Sequence, residues 1–102
     1  MTFDNYKLLN KYINENFPEQ VLTHVNNIAI NRTEEVMWLT HTFGNNLAKL
    51  ISGQHYVVQN ENATWEYISE GLTYGRNTKK TFRIKFCFKN KADAMLFKLT
   101  WC

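Results

Sequence analysis

The sequence predicts an α+β fold: N-terminal helices, then a small antiparallel β-sheet built as a meander or hairpin, and a C-terminal helix packed on that sheet. Two changes of period carry this reading. Apolar residues recur at helical spacing as far as Ile51, alternate with polar ones in the runs between Gly53 and Phe88, and return to helical spacing after Asn90.

Phe3, Tyr6, Leu9, Ile13 and Phe17 share one face of a helix over residues 3–17, with Lys7, Asn10, Lys11, Asn14 and Glu15 mostly elsewhere. Pro18 cannot extend that helix but suits the first turn of a new one. Val21, Val25 and Ile28 keep helical spacing behind Glu19 and Gln20, which predicts a second, shorter helix to about Asn27. Thr33 is an N-cap, and Glu34 and Glu35 behind it complement the positive end of a third helix. Val36, Leu39, Phe43, Leu47, Leu50 and Ile51 hold one face from that cap onward. Gly44-Asn45-Asn46 is also a C-terminal stop, so this helix either runs to Ser52 or breaks at Gly44.

Tyr56-Val57-Val58 favours β structure, and Trp65, Tyr67 and Ser69 alternate with Glu66, Ile68 and Glu70. Residues 71–80 are turn formers without an apolar period. They lead into Phe82, Ile84, Phe86 and Phe88, which alternate with Arg83, Lys85, Cys87 and Lys89 in a strand with one apolar and one basic face. Asn90 is placed to cap a closing helix over residues 92–101 that offers Met95, Leu96, Phe97 and Leu99 to the sheet.

A chain of 102 residues with 44% hydrophobic and 15% aromatic residues supports one core, so residues 1–102 are expected to form a single domain without a linker. The longest apolar runs, such as Val36-Met37-Trp38-Leu39, fall far short of the roughly 20 residues that span a bilayer. No membrane partner is expected. The N-terminus lacks the basic start and apolar stretch of a secretory signal, which places the protein in a cytoplasm. Cys87 and Cys102 form no Cys-x-x-Cys pair and have no histidine at ligand spacing, so neither a metal, a cofactor nor a disulfide is expected.

Charge is segregated along the chain. Residues 1–75 set four cations against eight carboxylates, whereas Arg76, Lys79, Lys80, Arg83, Lys85, Lys89, Lys91 and Lys98 face Asp93 alone in the last quarter, giving plus seven there and plus three overall. With Tyr74, the residues Arg76, Lys79, Lys80, Arg83, Lys85 and Lys89 are the candidate binding surface, offered to an acidic protein partner or to phosphates. Glu66 and Glu70 are expected on the non-core face of the neighbouring strand, opposite or diagonal to Arg83 and Lys85, where pairing would neutralise two of these charges. Trp38 points off the apolar stripe of its helix and joins Tyr74 as a candidate exposed anchor.

Catalytic patterns are missing. His24, His41 and His55 lie on separate elements, and no serine, cysteine or carboxylate stands at the spacing of a triad, metalloprotease or deaminase. Gly71 and Gly75 bracket a turn with no Lys-Ser/Thr helix behind it, so no phosphate loop is present.

Lys80-Thr-Phe-Arg-Ile-Lys-Phe-Cys-Phe88 followed by Ala92-Asp-Ala94 is similar to the third strand and second helix of RNA-recognition domains, but it lacks their glycines and no strand follows the last helix. The stretch from Phe86 to Trp101, with Asp93-Ala94, Phe97, Leu99 and Trp101, resembles the C-terminal ending of small uncharacterised accessory proteins of large tailed bacteriophages. Trp38-Leu39 to Phe43-Gly44 is similar to an earlier motif in some of them, while Thr100 departs from the basic residue that often precedes the tryptophan. The resemblance implies a small accessory protein that binds a host enzyme or defence complex, with no functional residue to transfer. The expectation is therefore a non-enzymatic protein-binding protein; a nucleic-acid-binding protein using the basic hairpin and a small virion assembly subunit are the alternatives.

Overall fold

The computed structural model describes residues 1–25, 33–53, 55–74 and 80–102, and the side chains of these except at 25 and 70–82. Its elements are β1 (Thr2–Phe3), α1 (Tyr6–Asn16), β2 (Glu19–Val25), α2 (Glu34–Phe43), β3 (Ala48–Ser52), β4 (His55–Val58), β5 (Trp65–Tyr74), β6 (Lys80–Phe88) and α3 (Lys91–Trp101). The fold is α+β, with these three helices and two small antiparallel three-stranded sheets, ordered β1-β4-β3 and β2-β6-β5.

The expected first helix begins later than its apolar spacing suggests. Phe3 lies in β1 opposite Tyr56, and α1 starts behind Asn5, whose side-chain oxygen accepts the Leu8 N–H at 2.9 Å. The second helix expected after Pro18 is instead β2, paired from Glu19↔Phe88 to Val25↔Phe82. A short run such as Val21-Leu22-Thr23-His24-Val25 satisfies both periods, and its β-branched residues at every second position pack well on a pleated surface. Val21 is buried and Leu22 is exposed, as alternation requires.

Thr33 does cap α2, its hydroxyl accepting the Val36 N–H at 3.3 Å, with Glu34 and Glu35 in the first turn. Of the two endings left open for this helix, the break at Gly44 is the one found: Gly44 has φ +86°, which favours glycine, and residues 48–52 form a strand. Leu47 is consequently buried between elements, while Leu50 and Ile51 stand exposed on β3. Residues 71–74, expected in a turn, extend β5 as far as Tyr74↔Lys80, and the register shifts between Ser69 and Gly71.

The strand assigned from Phe82 to Phe88 becomes the middle of its sheet, with both edges paired, and packed layers cover both of its faces. Ile84, Phe86 and Phe88 join Val21, Trp65, Val36, Leu39, Ala94 and Phe97 in a core beneath α2 and α3. On the opposite face, Cys87 and Ile68 join Leu9, Ile13 and Phe17 from the α1 side and Phe3, Leu47 and Ala48 from the small-sheet side. The radius of gyration, 13.5 Å, matches the roughly 13 Å of a domain this size. None of the described helices is long and apolar enough to cross a membrane.

Candidate functional site

The expected basic surface is only partly described. Arg76 and Lys79 lie outside the described residues, and Tyr74 and Lys80 are known as the backbone pair that ends the β5–β6 ribbon. Arg83 stands in register between His24 and Gly71, and Lys85 between Leu22 and Ile68; both are half-buried, not displayed to solvent. The Arg83 Nε is buried without a hydrogen-bond partner among the described residues. Lys89 is exposed, its ammonium 5.2 Å from the centre of the Phe17 ring. Trp38 is not a free anchor either. It is half-buried, with ring centres 5.9 Å from Phe43, 6.2 Å from Phe97 and 6.4 Å from Trp101. His24, His41 and His55 are exposed on β2, α2 and β4, and His24 therefore lies on a strand where a helix was expected.

Two features that the sequence did not single out stand apart from this surface. The first is α3. Asn90 makes no side-chain cap and donates instead to Asp93 at 3.2 Å. The helix turns Ala94 and Phe97 into the core with Trp101 packed beside them, so that Met95, Leu96 and Leu99, expected against the sheet, face outward at 54%, 45% and 81% exposure. Met95, Lys98, Leu99 and Cys102 line a shallow depression of about 320 Å³ on this outer side.

The second feature is Glu66. Alternation along β5 sends it to the face opposite Trp65 and Tyr67, which was expected to be solvated but is covered by the small sheet, leaving Glu66 only 4% exposed. It stands opposite Cys87. Its Oε2 accepts the Ala48 N–H at 2.9 Å and its Oε1 the Tyr67 N–H at 3.0 Å, while the Asn46 Nδ2 donates to both oxygens at 2.9 and 3.0 Å. β3 and β5 are edge strands of different sheets, and this carboxylate fills the place of the strand neither one has.

The segment leading to Ala48 is held through its own carbonyls. Trp65 Nε1 donates to the Gly44 carbonyl at 2.8 Å, Asn60 Nδ2 to that of Asn45 at 2.8 Å, Gln59 Nε2 to that of Asn46 at 3.2 Å and Gln59 N to that of Leu47 at 2.8 Å. Burial is the dominant influence on Glu66 and pushes its carboxyl from 4.5 up to about 7, against the pull of the surrounding N–H donors. Burial raises the Tyr56 and Tyr67 hydroxyls as well, and the Glu66 charge adds to both.

Among the described residues no three of His, Cys, Asp and Glu are grouped as metal ligands. Comparison with known proteins finds no family model that matches this chain, no curated protein that matches it and no solved structure that matches it.

Proposed function

We propose that this is a non-enzymatic binding protein that engages another protein through the outer face of α3. The observation that carries the reading is Leu99, 81% exposed beside Met95 and Leu96 on a helix whose inner side is already core. A helix that is apolar on its outer side as well as its inner one leaves that outer side to be covered, and contiguous apolar surface on a small domain marks an interaction site. The eleven residues of α3 span about 16 Å, enough to lie in a groove of a partner.

Charge supports a partner of a different kind over a second copy. Lys91 and Lys98 are exposed on the same helix, and a two-fold pairing through the stripe would bring Lys98 towards its own counterpart on a chain that already carries plus three. A groove with an apolar floor and an acidic rim meets both features. The resemblance of the closing stretch to phage accessory proteins supports a host enzyme or defence complex as that partner.

The test places a photo-crosslinking side chain at position 99 and, separately, at exposed Lys11 of α1, in cells that make the protein. The reading expects one discrete protein adduct from position 99 only. Equal labelling from both positions would contradict it. Capture that survives Leu99→Asp but is lost with nuclease or moderate salt would move the reading to nucleic acid bound through the basic hairpin, of which Lys89 is exposed.

A further inference from the structure

Three of the four sheet edges are short or blocked by side chains. β1 has two residues. On β3 the Ala48 N–H is taken by Glu66 and its C=O by Asn46, and on β5 the Tyr67 N–H is taken by Glu66 and the Ser69 C=O by the Tyr6 hydroxyl at 3.0 Å. β2 is the remaining edge, seven residues long with no proline and no lysine inside it.

The bonds on β5 fix which groups of β2 are free. Tyr67 turns its N–H away from β6, and residues of an antiparallel ladder alternate between facing the partner strand and facing away. Glu66 and Ile68 therefore bond Cys87 and Lys85, which leaves Phe88, Phe86 and Ile84 to bond Glu19, Val21 and Thr23 on the other side. Gln20, Leu22 and His24 consequently point their main-chain N–H and C=O to the open edge. None of the described residues bonds to these six groups. Leu22 is 50% exposed, on the face opposite the one that buries Val21 with Ala94 and Phe97.

We propose that the free edge of β2 pairs with β2 of a second copy of this chain, antiparallel about Leu22, so that two β2-β6-β5 sheets become one sheet of six strands. The register is self-complementary. Leu22 lies opposite its own counterpart and Gln20 opposite the second copy's His24, which pairs all the outward groups under one two-fold axis and sets two exposed leucines side by side. Like charges stay apart: Glu19 falls opposite Val25, and Lys85 lies three strand spacings from its counterpart, about 14 Å, beyond the screening length of roughly 8 Å. This edge is separate from the outer face of α3, so the two surfaces can fail independently.

The test follows the full chain by sedimentation and by amide hydrogen exchange from about 10 µM to about 1 mM. A strand-edge interface of this size implies half-dimerisation at about 100 µM. The Leu22 and His24 amides are then expected to slow about fivefold at the upper concentration, whereas those of Val21 and Thr23, already bonded to β6, change less. Leu22→Lys sets like charges opposite each other, and Leu22→Pro removes one outward N–H, which a free edge tolerates; each is expected to leave the chain monomeric. Leu99→Asp is expected to leave dimerisation unchanged. Four results would each overturn the proposal: a chain monomeric throughout, which leaves the edge to a strand of another protein; a dimer in which the Leu22 and His24 amides do not slow; a dimer retained in Leu22→Lys; or a dimer lost in Leu99→Asp. Leu22→Lys alters only an exposed side chain and decides the matter if Leu22→Pro does not fold.

Discussion

The Glu66 carboxylate accepts the Ala48 N–H at 2.9 Å, and through that bond the edge of one sheet is tied to the edge of the other. The two residues are separated by eighteen positions and lie on strands that share no ladder. An exposed strand edge invites unwanted pairing, and a carboxylate placed across it satisfies the donor while refusing a further strand.

This arrangement fixes the sign of a pH dependence. The folded-state value of Glu66, about 7, lies above its ordinary 4.5, so the folded chain holds the extra proton between those limits. Its stabilising contribution is complete below 4.5, declines as pH rises through the window, and is gone above about 7; the full span is worth about 3 kcal/mol. Urea denaturation at pH 5 and pH 8 is expected to show the unmodified chain losing stability relative to Glu66→Gln by an amount of that order.

Asn46 is the most connected side chain of the segment leading to Ala48: its Nδ2 reaches Glu66 and the Ala48 carbonyl, and its Oδ1 accepts from Gln59 at 2.8 Å. Asn46→Ala removes one donor from each oxygen of the buried Glu66 carboxylate together with the bond to the Ala48 carbonyl, and a loss of about 2 kcal/mol is expected. The denaturation midpoint should fall with the slope unchanged.

Gly44 ends α2 at φ +86°, and a Cβ added there would meet no atom within 4 Å. The penalty of Gly44→Ala is then one of backbone conformation, about 1–2 kcal/mol, with no clash to relieve. Thermal unfolding of that variant measures it directly.

Strand β6 and the N-cap of α2 were legible because each rests on local chemistry: alternation of Ile84, Phe86 and Phe88 in one case, Thr33 with Glu34 and Glu35 in the other. β2 was not, since five residues behind Pro18 fit either period and only pairing with β6 decides between them. The burial of Glu66 escaped because its partners, Asn46 and Ala48, are remote in sequence. A signal was present in the mixed outer face, where Ile68 sits between two glutamates and Cys87 among cations, as befits a sheet covered on both sides. The outer stripe of α3 escaped for the opposite reason: a helix with apolar residues nearly all round gives no indication of which side meets the sheet.

That ambiguity yields a contrast between neighbouring residues of one helix. Phe97 is fully buried against Phe86 and Phe88, with ring centres at 4.7 and 5.6 Å, and Phe97→Ala is expected to cost about 3–5 kcal/mol. Leu99→Asp removes no packing and should change stability by no more than about 0.5 kcal/mol. Chemical denaturation of the two variants side by side checks both figures.

The most direct examination of the binding role uses Met95→Asp with Leu99→Asp in one chain, comparing its melting temperature and its capture of the crosslinked partner with those of the unmodified protein. The outer face of α3 as the contact surface requires a near-unchanged melting temperature together with at least a tenfold loss of capture. Undiminished capture by the doubly substituted chain, still folded, would contradict it.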